Sequence, residues 1–367
     1  MMKKQILPKG WQEMRLGEVA VFNYGQSLPK QRRILGDVPV FSSAGLIGKH
    51  NEPLVKEPGI IIGRKGTAGS VYKSDISFFP IDTTFYISER NTKCDLHFLY
   101  YLLKNLGLNS LNSDSAVPGL NRNIAYAQDI KIPPLAEQKA IASLLETWDT
   151  AIEKTEALIA AKKKQFEWLV NSLINKSDHK MTRLLNFIEE VSIRNKDNQL
   201  DRVLSVTNHS GFVLPEEQFE RRVASSNVSN YKIVKRSQYA YNPARINVGS
   251  IARLDNWHNG IISPMYTVFK LNPEKIENDY FLYWLSSDEA KQRIKNSEQG
   301  SVRKTVSFDS LSIIPIALPD IKKQKAITQI LNTAQQEITL LKQLTERYRI
   351  QKRGLMQKLL TAKWRLI

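Results

Sequence analysis

The chain has 367 residues, which predicts two or three domains, and 42% of them are hydrophobic, as in a globular protein. A net charge of +17 favours a polyanionic partner, most often nucleic acid. The alternative interpretation is a basic protein that has no specific ligand. The single cysteine, Cys94, excludes internal disulfides and cysteine-rich zinc sites. No apolar run approaches the ~18 residues of a membrane span and no signal peptide is evident, so we expect a cytoplasmic protein without membrane contact.

The first part of the chain mixes short strands with one helix. VPVF, GIII, SVY and TTFYI favour strands, and DLHFLYYLLKNL favours an amphipathic helix. The strand GIII opens a glycine-rich stretch, GIIIGRKGTAGSVY, that contains the basic pair Arg64 and Lys65. A P-loop needs a Gly-Lys pair followed by Ser or Thr, whereas Lys65 precedes Gly66, and the dinucleotide-binding glycine pattern is missing. The stretch therefore predicts a turn between strands, and the basic pair leaves contact with the phosphates of a polymer open.

A long helix is predicted to start just after Pro134, because proline suits the beginning of a helix and not its interior. Its apolar residues are spaced alternately four and three apart, as in the a/d seam of a coiled coil, with interruptions at Thr155 and Lys162. The predicted seam consists of Ile141, Leu145, Trp148, Ile152, Ile159, Phe166 and Leu169. The polar residues 175–178 end the helix and mark a domain boundary.

The second part of the chain has the same organisation. YKIV, GSIARL and MYTVFKL favour strands, ENDYFLYWLSSDEAKQRI favours a helical segment, and a second long helix is predicted after Pro319. Its seam consists of Ile327, Leu331, Ile338, Leu341, Tyr348 and Leu355. Two seams in one chain most simply pack on each other, and the alternative is that each helix pairs with another protein.

The two parts form a tandem internal repeat. QKAI occurs at Gln138 and again at Gln324, an offset of 186, and the match continues without a gap along both seams. Upstream, HFLYYL at His97 pairs with YFLYWL at Tyr280 at an offset of 183, and two Gly-Ser pairs match at an offset of 180. The repeat predicts a mixed α/β (α+β) fold in which two globular domains are held apart by a helical spacer.

These segments resemble the DNA-specificity subunit of type I restriction-modification systems over nearly the whole chain. The resemblance rests on LPKGWQEMRLGEVA, GIIIGRKGTAGSVY, HFLYYLL and the helix start IPPLAEQKAIASLLETWDTAI, which recurs after a second variable domain. The second helix start departs from the family pattern, since Lys323 stands where the first copy has Glu137.

The resemblance implies two target recognition domains, residues 1–133 and 178–318, which each recognise one half of a split, asymmetric site in double-stranded DNA. It implies that spacer helices in residues 134–177 and 319–367 form an antiparallel coiled coil that fixes the distance between the half-sites. Two methyltransferase (modification) subunits, which bind S-adenosylmethionine and methylate adenine, would dock on this chain. Restriction subunits that use ATP and magnesium would join them. The chain itself would be non-catalytic and would hold no cofactor or metal.

The residues themselves offer only weak catalytic candidates. The stretch Asn242–Arg245 lacks the second proline and the aromatic residue of an adenine methyltransferase loop, which favours a turn. Asp129, Glu137 and Lys139 loosely imitate a nuclease layout, but an acidic residue suits the first turn of a helix, and the repeat partner of Glu137 is Lys323. The five histidines lack metal-ligand spacing. Two other hypotheses remain: a self-sufficient DNA-modifying enzyme, and a duplicated scaffold whose domains bind proteins.

Basic and amide side chains are the candidate DNA contacts, because Arg and Lys neutralise phosphates while Arg and Asn can bond base edges. In the first domain they are Arg32, Arg33, Arg64, Lys65, Thr67, Asn121 and Arg122. In the second domain they are Arg221, Arg222, Arg245, Asn247, Arg253, Arg303 and Lys304. For any one of them alone, a solvated surface charge is the competing interpretation.

Overall fold

The computed structural model describes residues 7–111, 119–174, 179–215, 227–299 and 304–366. The chain divides into two compact units, of which unit 1 comprises Met1–Glu156 and Gln343–Ile367, and unit 2 comprises Ala157–Lys342. Each unit contains a globular α/β part and a portion of both long helices. The predicted domain boundaries, which treat the long helices as separate segments, stay predictions. Among the described residues, no helix has the length and apolar character needed to cross a membrane.

The globular part of unit 1 consists of short strands and three short helices, followed by the first long helix. The strands are β1 (Gln12–Arg15), β2 (Asn23–Tyr24), β3 (Val38–Ser42), β4 (Gly45–His50), β5 (Gly59–Gly63), β6 (Val71–Ser74), β7 (Phe79–Pro80), β8 (Thr84–Ser88) and β9 (Asp129–Ile132). The helices are α1 (Leu16–Val19), α2 (Leu96–Asn105), α3 (Arg122–Tyr126) and the long α4 (Leu135–Ile174). The strands predicted from VPVF, GIII, SVY and TTFYI, and the helix predicted from DLHFLYYLLKNL, are confirmed.

The main sheet of unit 1 has the strand order β2-β8-β5-β6, and its central strand β5 is buried on both faces. Ile60 and Ile62 pack into the larger core with Phe98 and Leu99 of α2. Ile61 points the other way and packs into a smaller core with Phe78. The continuous apolar run of β5 follows from this, because a strand covered on both faces needs no polar alternation. A second sheet, β4-β3-β7, and the antiparallel pair β1–β9 complete the unit.

Unit 2 repeats this architecture with altered details. Its strands are β10 (Lys180–Arg183), β11 (Ile188–Glu190), β12 (Val203–Thr207), β13 (Gly211–Val213), β14 (Lys232–Lys235), β15 (Tyr239–Tyr241), β16 (Ile251–Arg253), β17 (Asn259–Ile262), β18 (Thr267–Leu271) and β19 (Pro315–Leu318). Its helices are α5 (Asn278–Ser286), α6 (Asp288–Asn296) and α7 (Phe308–Ser312), and the long α8 (Ile321–Leu359) follows. The sheet β11-β18-β15-β16 corresponds to β2-β8-β5-β6, and the pair β10–β19 corresponds to β1–β9. The internal repeat is therefore present in the strand pairing as well as in the sequence.

The segment ENDYFLYWLSSDEAKQRI is divided into two helices, α5 and α6, at Ser287. Ser287 has an extended backbone, and its side chain accepts a hydrogen bond from the N–H of Ala290 at 3.2 Å, so it ends one helix and caps the next. The structure also shifts the repeat register by one residue. The N-caps Asp95 of α2 and Glu277 of α5 are 182 residues apart, against the offset of 183 from the sequence letters.

The two long helices bury their heptad seams. Each predicted seam position on α4 and α8 is buried or half-buried, including Thr155 and Lys162, and most flanking positions are exposed. Within unit 1 the helices run antiparallel, since Trp148 packs edge-on against Tyr348 at 5.6 Å and Glu137 pairs with Arg365 at 3.0 Å. Within unit 2, Lys162 pairs with Glu337 at 2.9 Å. The predicted antiparallel pairing of the two long helices within this chain is therefore confirmed.

Candidate nucleic-acid interface

The glycine-rich loop between β5 and β6 is a closed turn that uses its own amide groups. The N–H of Gly63 donates to the carbonyl of Ser70 at 2.8 Å, and the N–H of Gly69 donates back to the carbonyl of Gly63 at 2.8 Å. The N–H groups of Arg64 and Lys65 both donate to the carbonyl of Thr83, at 2.8 and 3.2 Å. A phosphate-binding loop presents such amides to its ligand, so this loop is not built as a nucleotide cradle.

The glycines are required by the shape of the loop. Gly69 has φ +79°, and a Cβ added there would lie 2.2 Å from the backbone nitrogen of Asn109. A Cβ on Gly63 would lie 2.2 Å from the carbonyl oxygen of Thr67. The turn therefore closes tightly on itself and leaves Lys65 and Thr67 exposed at its tip.

Five side chains beside this loop form what we call the Tyr24 cluster: Tyr24, Arg64, Phe85, Arg122 and Tyr126. The Cζ atom of Arg64 lies 5.3 Å from the ring centre of Tyr24 and 6.0 Å from that of Phe85. The Cζ atom of Arg122 lies 5.2 Å from the ring centre of Tyr24 and 5.8 Å from that of Tyr126. Each cation–π contact contributes about 0.5–2 kcal/mol, so the rings hold both guanidinium groups in place.

The backbone brings these residues together from distant parts of the sequence. Lys65 forms a β-bridge with Gly119, and the N–H of Leu120 donates to the carbonyl of Arg64 at 2.9 Å. An open cleft of about 310 Å³ results. Its lining residues are Tyr24, Arg64, Lys65, Phe85, Gly119, Leu120, Asn121, Arg122 and Asn123. Four of the predicted DNA contacts, Arg64, Lys65, Asn121 and Arg122, therefore share one cleft.

Two of these side chains already have partners inside the protein. Arg64 donates through Nε and Nη2 to the carbonyl of Asp82, at 3.2 and 2.6 Å. Asn121 caps α3, where its side-chain oxygen accepts a hydrogen bond from the N–H of Asn123 at 2.8 Å. Bidentate recognition of adenine needs that same oxygen, so Asn121 serves the helix rather than a base edge.

Arg32 and Arg33 lie elsewhere in unit 1. Arg32 is exposed in a 3₁₀ turn, Lys30–Arg32, and Arg33 follows it. The Nη1 atom of Arg33 donates to the carbonyl of Ile47 at 3.0 Å, which attaches the turn to strand β4. Neither residue lines the cleft described above.

In unit 2, Arg245 and Asn247 are exposed next to and within a 3₁₀ turn, Ile246–Val248, that follows β15. This turn occupies the place of the glycine-rich loop of unit 1. Lys304 is exposed and pairs at 3.4 Å with Glu298, whose side chain is buried. Arg221, Arg222 and Arg303 lie outside the described residues.

Arg253 has a structural role rather than a place at an exposed surface. Only 15% of its side chain is exposed, and it pairs with Asp255 at 2.7 Å and Asp279 at 2.6 Å. Although burial lowers the pKa of the Arg253 guanidinium, its hydrogen bonds to the two carboxylates raise that pKa above the ordinary value. A guanidinium paired with two carboxylates is poorly placed to neutralise phosphate, so Arg253 is left out of the proposed interface.

Arg253 belongs to a polar network that occurs in both units and that no sequence motif indicates. In unit 2, Arg253 contacts Asp279, which accepts a hydrogen bond from the amide of Asn332 at 3.1 Å. In unit 1, Lys73 contacts Glu146 at 3.0 Å, and the imidazole of His97 lies 2.5 Å from the same carboxylate. The only sequence signal was that Lys73 and Arg253 are both basic at the repeat offset of 180.

The same offsets show that the cleft of unit 1 has chemically different counterparts in unit 2. Helix α7 lies 186 residues after α3, and Ser307 caps it by accepting a hydrogen bond from Ser310 at 3.1 Å. Phe308 then occupies the place of Arg122, and Ala244 occupies that of Arg64 at the offset of 180. The two units therefore present different side chains on related backbones.

The family whose model matches this chain is described as the type I restriction modification DNA specificity domain, and the match covers residues 8–162 and 229–347. The chain is 22% identical, over 98% of its length and 94% of the relative, to the type I restriction enzyme MjaVIII specificity subunit of Methanocaldococcus jannaschii.

Solved structures share the fold. One is the S subunit of a type I restriction-modification system from M. genitalium, with a TM-score of 0.62, 16% identity and 98% of each chain covered. Another comes from work on complex assembly and conformational transition of the type I R-M system, with a TM-score of 0.60, 14% identity and coverage of 98% and 100%. A third is the HsdS subunit from Thermoanaerobacter tengcongensis, with a TM-score of 0.52, 14% identity and 99% of each chain covered.

Proposed function

Because the chain belongs to the type I restriction-modification DNA specificity family, we propose that its two units recognise the two halves of a split, asymmetric DNA site. Members of this family are the DNA-recognition subunits of restriction-modification complexes and are not themselves catalytic. The chain is therefore a non-catalytic, DNA-binding subunit of such a complex. What is proposed beyond this is the form of the site, the residues that contact it and the composition of the complex.

The Tyr24 cluster is the main structural support for DNA recognition by unit 1. Its cleft combines two arginines fixed over aromatic rings with the exposed Lys65 at the tip of a rigid loop. Exposed positive charge can neutralise phosphates, whereas base recognition needs donors held in a fixed geometry. The cleft offers both within one short stretch of surface, and the net charge of +17 supports binding to a polyanion.

The asymmetry of the proposed site rests on the divergence between the units. Phe308 and Ala244 replace the two arginines of the cluster, while Arg245 keeps a basic residue at the place of Lys65. Phosphate contact can therefore be shared by both units, but donors to base edges cannot be the same. Two different half-sites follow, and we assign the spacing between the half-sites to the long helices α4 and α8.

The chemistry is assigned to partner subunits. We assign adenine methylation to two modification subunits that bind S-adenosylmethionine, and cleavage to restriction subunits that use ATP and magnesium. These assignments rest on family membership. We propose that the complex acts in the cytoplasm, on the DNA that it modifies.

The test is co-expression of the chain with its modification subunits, followed by sequencing of the host DNA for methylated adenines. The expected result is a motif of two different half-sites separated by bases that are not specified. A complex that assembles and binds S-adenosylmethionine but methylates nothing would contradict the proposal. So would a motif without an interruption.

A further inference from the structure

Arg122 occupies a prepared position at the first residue of α3. Its guanidinium lies over Tyr24 and Tyr126, and the ring of Tyr126 is itself fixed. The hydroxyl of Tyr126 accepts a hydrogen bond from the N–H of Phe22 at 2.7 Å. The rings of Phe22 and Tyr126 pack edge-on, with their centres 5.2 Å apart. Because the platform is fixed before any ligand binds, little side-chain entropy remains to be lost when the guanidinium makes its bonds.

Among the described residues, Arg122 has fewer strong hydrogen-bond partners inside the protein than its neighbours Arg64 and Asn121. The Nε and Nη2 atoms of Arg64 are held by the carbonyl of Asp82, and the side-chain oxygen of Asn121 is held by its own helix. Within the described part of the chain, the one hydrogen bond that Arg122 donates runs from Nη1 to the carbonyl of Phe22 at 3.5 Å, which is long and weak. Among the residues that the structure describes, the planar donor pair of Arg122 therefore faces no strong internal acceptor.

A planar pair of N–H donors matches one base edge better than any other. Guanine presents two acceptors, O6 and N7, in the major groove, and arginine bonds both at once. Resting on the proposed function of unit 1, we propose that Arg122 recognises a guanine in the half-site of unit 1. Tyr24 and Tyr126 are its positioning residues, and Lys65 contacts a phosphate nearby.

The repeat restricts this role to one half-site. Phe308 stands at the position of Arg122 in unit 2 and has no donor to offer a base. An apolar ring at that place can contact a thymine methyl group but cannot bond guanine. Arg347, an exposed arginine of α8 that does not line the cleft, provides a matched basic residue for comparison.

The experiment compares Arg122→Gln, which loses both the charge and the planar donor pair, with Arg347→Gln as the control, because a lysine could still bond O6 and N7 of guanine. Each full-length variant is co-expressed with the modification subunits, and the methylated motif is determined. Binding of the purified complexes is then measured on duplexes in which each G·C pair of the wild-type motif is replaced in turn. For the wild type, one replacement in the half-site of unit 1 is expected to weaken binding about 10- to 100-fold.

With Arg122→Gln, the same replacement is expected to change binding less than about 3-fold, while discrimination in the other half-site is retained. An Arg122→Gln complex that keeps the wild-type motif and the full penalty overturns the inference and leaves the proposed function intact. A wild-type half-site of unit 1 without any G·C pair overturns it as well. If Arg122→Gln does not assemble, Arg122→Met is used, and its folding is checked through recognition of the unchanged half-site. A wild-type complex without a split motif overturns the proposed function first.

Discussion

Gln138 and Gln324, which lie 186 residues apart at equivalent positions of the repeat, make the same hydrogen bonds in the two units. The side-chain oxygen of Gln138 accepts from the N–H of Asp95 at 2.8 Å, and its amide donates to the carbonyl of Pro133 at 2.9 Å. Gln324 accepts from the N–H of Glu277 at 2.8 Å and donates to the carbonyl of Pro319 at 2.9 Å. Each glutamine therefore joins the start of a long helix to the N-cap of α2 or α5.

Replacing Gln138 by Ala is expected to loosen α2 selectively. Gln138 is 4% exposed, so the substitution leaves the partly buried N–H of Asp95 and the buried carbonyl of Pro133 without this partner. The loss is about 2–3 kcal/mol, which corresponds to roughly 30- to 150-fold faster amide exchange in α2. Hydrogen exchange measured by mass spectrometry checks this, and Gln324→Ala should act on α5 instead. The exposed Gln165 is the control, and an equal effect of Gln165→Ala would contradict the assignment.

The helices and the repeat could be predicted because their signals lie within one continuous stretch. The seam from Ile141 to Leu169 repeats every three or four residues, and QKAI recurs at a single offset. The Tyr24 cluster could not be predicted as a set, because its rings come from a two-residue strand, from β8 and from α3, and only the fold brings them together. The role of Arg253 could not be predicted either. A basic residue in a polar segment looks the same in sequence whether it faces solvent or, like Arg253, pairs with Asp279.

Replacing Glu137 by Lys, the residue that the second copy has at this position, is expected to destabilise unit 1. Glu137 is 2% exposed, pairs with Arg365 at 3.0 Å and accepts a hydrogen bond from the indole of Trp11 at 3.1 Å. A lysine there would place two positive charges together in a buried site, which costs about 3–5 kcal/mol. Denaturant unfolding measures the change.

The matched control for that substitution is Glu153→Lys, which alters an exposed residue of the same helix by the same charge. Adding Arg365→Glu to Glu137→Lys reverses the pair and should recover part of the lost stability. If the double variant is no more stable than Glu137→Lys alone, the contact between Glu137 and Arg365 does not determine the effect.

Replacing Asp279 by Asn is expected to lower stability at neutral pH and to have less effect in acid. Burial raises the pKa of the Asp279 carboxyl, but hydrogen bonds from Asn332 and Arg253 lower it below the ordinary value of 3.8. A lowered folded-state pKa means that the ionised carboxylate stabilises the folded state above the unfolded pKa. This contribution is lost as the pH falls through the lower folded-state value.

The difference in unfolding free energy between the wild type and Asp279→Asn is therefore expected to be about 1–3 kcal/mol at pH 7 and to shrink below about pH 4. Denaturant unfolding at a series of pH values measures it. Asp309→Asn, which removes an exposed carboxylate of the same unit, is the control. If the difference in unfolding free energy stays constant from pH 7 to pH 3, the charge of the Asp279 carboxylate does not contribute to stability through Arg253 and Asn332.

Replacing Arg64 and Lys65 together by Ala is expected to weaken DNA binding without unfolding the chain. Lys65 is exposed, and Arg64 is only partly buried beneath Tyr24, so the cores of unit 1 remain packed. Because Nε and Nη2 of Arg64 are held by the carbonyl of Asp82, Arg64 and Lys65 act on DNA through their charge. Their loss should therefore weaken binding on all sequences alike and reduce the slope of log K against log salt by about 1–2. Titration of a labelled duplex at several salt concentrations measures both quantities. The double variant Lys291→Ala with Lys295→Ala removes the same charge from exposed positions of α6 and should change the affinity less. Equal affinity of the folded Arg64 and Lys65 variant and the wild type would remove the glycine-rich loop from the interface, because nothing else in that loop offers positive charge to DNA.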